Sequence, residues 1–230
     1  LERRPGLAIP TDDPVEGLAG TTLAHAAFSG DRESARAAVE GLDERGGRAT
    51  ASLLALAAVG PAETPPRAAV AIERALRPFA GGPFVTAGGY ADVLNALARE
   101  APGVGLATAL TGEGYDRALS IWADRSKAVH QGVRDADTAR SDGVVVARVD
   151  GPVEPIARLL RDFRSPAPVV LAVDDGEAGA AAHDRSIGRA LASAAAAADG
   201  SALSRGDRGY ARFDGDHEAT FIETFRGAIA

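Results

Sequence analysis

The pattern of apolar residues changes near residue 142, and this change limits the folds open to the chain. Before it, residues 1–141 follow helical spacing interrupted by Gly and Pro. After it, runs rich in β-branched and small residues predict strands at GVVVARVD (143–150), PVVLAVDD (168–175), EAGAAAHD (177–184) and GYARFDG (209–215). Helical segments separate and follow these runs at 152–163, 185–199 and 217–229. The order β-α-β-β-α-β-α predicts an α/β fold, in which a helical region precedes a small mixed-sheet α/β domain.

A long helix is predicted at the end of the first part, from Gly114 to Ala139. Apolar residues recur along it at spacings of four and three, and Trp122, Val129 and Val133 belong to this seam. Charged residues occupy the opposite side, which favours a solvated surface there. We therefore expect Trp122 to be buried.

The charge balance argues against a large nonspecific nucleic-acid surface. The formal net charge is −7, and Lys127 is the single lysine among 25 basic residues. Binding along a phosphate backbone normally needs clustered cations, although this composition does not exclude a local basic site. An Asp-rich, Lys-poor surface is also typical of proteins that stay dissolved in concentrated salt.

The composition also indicates the cellular compartment. There is no Cys, no basic segment followed by an apolar one at the start, and no apolar run of the roughly 18 residues that a membrane span needs. We expect a cytoplasmic protein without membrane contact. Because the chain starts with Leu1 and contains no Met, we also expect it to be part of a longer protein.

Catalytic motifs are missing. The sequence has no GxSxG elbow, no P-loop, no HExxH and no GxGxxG after a strand, and its four histidines are scattered. His183-Asp184 is interpreted as an incidental polar pair, and Asp174-Asp175 as turn formers. We predict no catalytic residue and no metal ligand within this chain.

The segment GSALSRGDRGYARFDGD (200–216) is the main candidate for binding. It is predicted as a glycine-rich loop that joins a helix to a strand and carries three arginines. Two interpretations stay open: backbone N–H groups and guanidinium groups that hold a phosphate, or a plain solvent-exposed hairpin whose arginines pair with Asp207, Asp214 and Asp216. Tyr210 and Phe213 are expected to pack in the core or across strands rather than to stack on bases.

Residues 88–129, GGYADVLNALAREAPGVGLATALTGEGYDRALSIWADRSKAV, resemble a segment of archaeal, in particular haloarchaeal, RecJ-like exonucleases of the DHH phosphoesterase superfamily. In that family a helix with a Leu-Asn-Ala core, here Leu94 to Ala96, precedes a Gly-rich turn, here Gly103 and Gly105, and a long helix. Residues 142–230 are similar to the DHH-associated domain that follows. The resemblance assigns residues 1–28 to the end of the DHH catalytic domain and 29–141 to a helical connecting region.

The resemblance implies a single-strand-specific exonuclease in DNA repair or replication that uses Mn²⁺ or Mg²⁺. The family's metal ligands lie in the amino-terminal catalytic domain, and its DHH triad is absent from this sequence. This chain would then supply the part that binds single-stranded nucleic acid, with replication or repair proteins as further partners.

In the family, the associated domain binds the substrate backbone through a GGGHxxAAG-like loop, and residues 200–213 occupy its place. This sequence departs from that pattern, because the glycines are reduced to Gly200, Gly206 and Gly209 and the His is absent. The resemblance points to phosphate contacts from Ser204, Arg205, Gly206, Arg208, Gly209 and, more weakly, Arg185. Two alternatives remain within the superfamily: a phosphodiesterase acting on oligonucleotides or cyclic dinucleotides, and a catalytically inactive replication scaffold.

Overall fold

The computed structural model describes residues 2–42, 47–81 and 83–229. The chain divides into two compact units, one ending at His130 and one beginning at Gln131. The expected boundaries at residues 28 and 141 separate a catalytic-domain end, a connecting region and a substrate-binding domain. This assignment stays a prediction. Within the described ranges, no helix combines the length and apolar content needed to cross a membrane.

The amino-terminal unit is mainly helical. A two-stranded antiparallel sheet joins β1 (Glu2–Arg3) to β2 (Phe79–Ala80). The helices are α1 (Pro14–Gly20), α2 (Arg32–Glu40), α3 (Gly47–Val59), α4 (Ala68–Ile72), α5 (Ala87–Glu100), α6 (Pro102–Thr111) and α7 (Tyr115–Asp135), the last continuing past His130. Asp13 and Asp31 begin α1 and α2 as N-caps, because their carboxylates accept backbone N–H bonds from the first turn.

A buried carboxylate ties three parts of this unit together. Asp92 on α5 accepts the backbone N–H of Thr22 at 3.0 Å, the Thr22 hydroxyl at 2.5 Å and the Trp122 indole N–H at 3.0 Å. Trp122 on α7 is 2% exposed, which confirms the apolar seam predicted for the long helix. The same side chain therefore contributes both packing and a hydrogen bond to this core.

The carboxy-terminal unit contains one six-stranded mixed sheet, which confirms the predicted α/β class. Its strands, in the spatial order β3-β4-β5-β6-β8-β7, are β3 (Asp137–Ser141), β4 (Val144–Arg148), β5 (Val169–Asp174), β6 (Glu177–Ala182), β7 (Ser201–Arg205) and β8 (Arg208–Arg212). Its helices are α8 (Val153–Leu159), α9 (Gly188–Ala197) and α10 (Glu218–Ile229). Only β4 and β5 run parallel among these neighbouring pairs.

The two edge strands were not predicted. The long helix ends at Asp135 rather than at Ala139, and β3 then pairs with β4 through a tight turn in which Asp142 and Gly143 both have positive φ, at 52° and 79°. At the other edge, β7 replaces the first part of the expected loop. Both strands are almost wholly exposed, and neither shows the alternation of apolar and polar residues that identifies a strand in a sequence.

Helices cover the two faces of the sheet unequally. One face packs on α9 and α10 through a core that includes Leu171, Leu191, Phe221 and Phe225. On the other face, α8 and the π-helical turn after it (Leu160–Arg164) cover the central strands, and Gly179 lies directly beneath the Val153 backbone. The outer part of β7 and β8 remains open to solvent on this second face.

Candidate nucleic-acid interface

The predicted glycine-rich loop is a tight β-hairpin. Strands β7 and β8 are antiparallel, and Arg205 lies directly opposite Arg208 across a two-residue turn. Gly206 has a φ of +63°, which suits the first position of a type II′ hairpin turn. The prediction of a loop before residue 209 was therefore wrong, because Ser201–Arg205 joins the sheet as its edge strand.

The hairpin separates the candidate residues onto two faces, because residues directly opposite each other on antiparallel strands project to the same side. The register places Ser204 opposite Gly209, and a Cβ on Gly188 would lie 2.7 Å from the Ser204 hydroxyl, so this pair faces α9. The opposite, open face carries three exposed or partly exposed pairs: Arg205 with Arg208, Leu203 with Tyr210, and Ser201 with Arg212. Only Arg205 and Arg208 of the predicted phosphate contacts thus share the open face.

The glycines of the hairpin have structural reasons to be there. A Cβ at Gly209 would lie 2.6 Å from Leu191 Cδ2 and 2.8 Å from the Leu203 carbonyl oxygen, so the close approach of α9 excludes a side chain. At Gly206 a Cβ would meet nothing within 4 Å, and the positive φ alone favours glycine. The roles proposed for Ser204, Gly206 and Gly209 in phosphate binding stay predictions.

The Arg185 side chain contacts the end of α10. Arg185 precedes α9 and donates a hydrogen bond from Nη1 to the Ile229 carbonyl, at 3.1 Å. A cation at a helix carboxyl end is a stabilising contact in its own right. The contact directs the guanidinium group to α10, which packs on the face of the sheet opposite the one that carries Arg205 and Arg208.

A buried arginine that sequence reasoning missed holds the hairpin turn. Arg161 is 2% exposed and forms a charge-assisted pair with Asp162, with its Nη2 2.7 Å from Oδ1. Its Nη1 donates to Asp207 Oδ2 at 2.9 Å and to the Ala182 carbonyl. The N–H of Ala182 in turn donates to the Asp207 carbonyl at 2.8 Å, so side-chain and backbone bonds fix the turn together.

The arginines of the open face differ in whether a carboxylate lies near them. Asp207 is already engaged by Arg161, and its other oxygen lies 3.8 Å from Arg208 Nε. In the described part of the chain no carboxylate lies within ion-pair distance of Arg205. The interpretation in which the loop arginines pair with aspartates thus fits Arg208 in part and does not fit Arg205.

Further along the face, Glu177 on β6 joins Tyr210 and Arg212. The Tyr210 hydroxyl donates to Glu177 Oε1 at 2.6 Å, and Arg212 donates to the same oxygen from Nε at 3.1 Å. The hydrogen bond to Glu177, with a smaller contribution from Tyr210, raises the pKa of Arg212, which therefore stays a cation. Phe213 is buried and stacks on Phe221 at 4.3 Å between ring centroids, which confirms its expected place in the core.

The polar pairs that the sequence singles out, Asp174-Asp175 and His183-Asp184, make local contacts. Among the described residues, no three His, Cys, Asp or Glu side chains converge in a way that could hold an ion. Asp174 accepts the Gly151 N–H at 3.0 Å and Asp175 has a positive φ of 35°, which confirms a turn at this pair. His183 lies 3.0 Å from the adjacent Asp184 on the surface, as expected of a local polar pair.

Comparison with known proteins matches the whole chain to one haloarchaeal relative. A protein-family model described as the C-terminal domain of the uncharacterized protein rrnAC1427 matches residues 136–227. The uncharacterized protein rrnAC1427 of Haloarcula marismortui is 46% identical over 254 residues, and the match covers 100% of this chain. This chain spans 64% of the length of that relative.

Among solved structures, the DHH domain of a protein described as a member of a family of ribosomal proteins is similar over 50% of this chain and 32% of its own, with 11% identity. The TM-score is 0.37, and a likeness at this level carries no argument about fold or function. The family match over 136–227 coincides with the carboxy-terminal unit that carries the hairpin.

Proposed function

We propose that the carboxy-terminal unit binds the sugar-phosphate backbone of single-stranded nucleic acid on the open face of the β7–β8 hairpin. In this proposal the chain is the substrate-binding part of a RecJ-like exonuclease of the DHH phosphoesterase superfamily. The sequence resemblance of residues 88–129 and 142–230 supports the family. Cleavage would use Mn²⁺ or Mg²⁺ held by residues outside this chain, and this part of the proposal rests on the resemblance alone.

The arginine pair at the tip of the hairpin is the observation that carries the proposal. Side chains directly opposite on antiparallel strands have Cβ atoms about 4.5–5.5 Å apart, so Arg205 and Arg208 present two guanidinium groups side by side. Both are exposed, and so are Ser201 and Leu203 on the same face of β7. Guanidinium groups match phosphate oxygens with paired, charge-assisted hydrogen bonds.

Like charges placed side by side repel, and the hairpin must hold them against that repulsion. Arg161 supplies the support, because it fixes the Asp207 side chain while the N–H groups of Ala182 and Ile187 fix the carbonyls of Asp207 and Gly206. A fixed turn backbone sets the positions of the two arginines on the strands before a phosphate binds, so less backbone freedom is lost on binding. A solvated, mobile loop would not offer this advantage.

The experiment measures binding of a fluorescently labelled single-stranded oligonucleotide by anisotropy, for the wild type and for Arg205→Ala with Arg208→Ala. Removing two guanidinium groups that bind phosphate should weaken binding by about 2–3 kcal/mol, or roughly 30- to 150-fold. The slope of log affinity against log salt should also become shallower by about 0.7 for each phosphate that is no longer neutralised.

The matched control is Arg36→Ala with Arg117→Ala, which removes the same charge from two exposed positions of the amino-terminal unit. Binding by this control should change little. Equal weakening by both double variants, or unchanged affinity in the hairpin variant, contradicts the proposal. Absence of single-strand binding by the wild type contradicts it outright.

A further inference from the structure

Leu203 is the most exposed large hydrophobic residue in the described part of the chain, at 78%. It lies in the middle of the edge strand β7, directly opposite Tyr210 on β8. The two side chains share the open face, because opposed residues project to the same side of an antiparallel pair. The centre of the proposed interface is therefore apolar and partly aromatic.

Cations lie on both sides of this apolar pair. Successive same-face positions on a strand are two residues apart, or about 6.8 Å. One such step from Leu203 and Tyr210 leads to Arg205 and Arg208, and one step in the other direction leads to Ser201 and Arg212. Along the strands the open face thus carries the Arg205–Arg208 pair, then the apolar pair, then Arg212, which is paired with Glu177.

A hydrogen bond holds the Tyr210 side chain in place. Its hydroxyl donates to Glu177 at 2.6 Å, and Arg212 donates to the same carboxylate oxygen. The ring is partly buried, and the approach of α8 over Gly179 bounds the open face on the β6 side. An immobilised ring beside a protruding aliphatic side chain offers a flat contact surface at low cost in conformational entropy.

We infer that Leu203 and Tyr210 form a platform for a nucleobase, while the arginines on either side contact the adjoining phosphates. The inference rests on the proposed function and adds the part of the ligand that the centre of the hairpin recognises. A base has an apolar π-face and is joined to an anionic backbone, so it matches an apolar centre with cationic neighbours. A neutral peptide would leave the Arg205–Arg208 pair without an anionic partner.

The test compares two single-stranded oligonucleotides of equal length and charge, one of thymidines and one abasic, against the full 230-residue chain. Leu203→Ala should weaken binding of the thymidine strand by about tenfold and leave the abasic strand unchanged, because the truncation removes the apolar carbons that contact the base. Arg205→Ala with Arg208→Ala should weaken both strands. Leu110→Ala, at a residue 75% exposed in the amino-terminal unit, is the matched control and should weaken neither.

Leu203 is so exposed that its truncation leaves the fold intact, and thermal unfolding of the variant checks this. If the wild type binds both strands with equal affinity, or if Leu203→Ala weakens both equally, the nucleobase platform is contradicted. Neither result contradicts the proposed phosphate contacts. If the wild type binds neither strand, the proposed function is contradicted as well. A change in molecular mass by light scattering, with unchanged binding of the thymidine strand, shows a contact between protein copies and also overturns the platform.

Discussion

At the scale of single residues, Arg161 shows how a buried charge is made tolerable. Its guanidinium group contacts Asp162, Asp207 and the Ala182 carbonyl, so its donors meet acceptors although the side chain is 2% exposed. Burying an ion is costly unless it is paired and hydrogen-bonded. The contacts join the π-helical turn after α8 to the hairpin turn, and they place this residue at the base of the proposed interface.

Arg161→Met should destabilise the carboxy-terminal unit by about 3–5 kcal/mol, because it leaves the buried Asp162 carboxylate without its cation. Urea denaturation followed by circular dichroism measures the change. The double variant Arg161→Met with Asp162→Leu should recover part of the stability, since it removes the buried carboxylate as well. A single variant within about 0.5 kcal/mol of wild type would contradict a structural role for this pair.

The sequence predicted burial well where packing decides it. Trp122 lies on a seam with helical spacing, and it is buried. Arg161 and Asp92 could not be found in the same way, because charged residues are normally exposed and their burial depends on partners distant in sequence. Asp207 is 46 residues from Arg161, and Thr22 is 70 residues from Asp92.

At the scale of elements, the hairpin is defined by its turn. Gly206 has a positive φ and open space around it, so a methyl group there tests backbone conformation alone. The expected loop proved to be a strand because local pattern does not distinguish a polar edge strand from a loop. The Asp142–Gly143 turn of β3 and β4 did carry a sequence signal, since Asp-Gly favours a two-residue hairpin.

Gly206→Ala should destabilise the hairpin by about 1–2 kcal/mol, because an L-residue with a side chain disfavours the left-handed region. Hydrogen exchange of the β7 and β8 amides should become faster. Gly227→Ala adds the same methyl group in open space within α10, where alanine favours the helix by about 0.5–1 kcal/mol. If both variants had the same effect on hairpin exchange, the turn conformation would not be what the glycine provides.

At the scale of the whole molecule, the sequence correctly predicted a mixed-sheet α/β class. The separation of the candidate residues between two sheet faces could not be predicted, because it depends on the register of a strand that was interpreted as a loop. Ser204 and Arg205 are adjacent in sequence, and alternation along β7 sends them to opposite sides. The proposed interface therefore contains fewer of the residues predicted from the sequence. It also contains Leu203, Tyr210 and Arg212, which were not among them.

The chain should release no nucleotides from a single-stranded substrate, even with added Mn²⁺. The physical reason is that a two-metal hydrolytic site needs several converging ligands, and the described residues present no such group. Incubation of a labelled oligonucleotide with the purified 230-residue chain, resolved by electrophoresis, measures the outcome. Metal-dependent cleavage by a clean preparation would contradict the assignment of this chain to binding alone.

The most direct test of single-strand binding at the hairpin locates the bound strand on the protein. Amide chemical shifts recorded by NMR during titration with a short single-stranded oligonucleotide should change at residues 201–212 and in the neighbouring part of β6, with side-chain Nε–H signals of Arg205 and Arg208 among the largest shifts. Changes confined to the amino-terminal unit, with the hairpin signals unmoved at saturation, would contradict it.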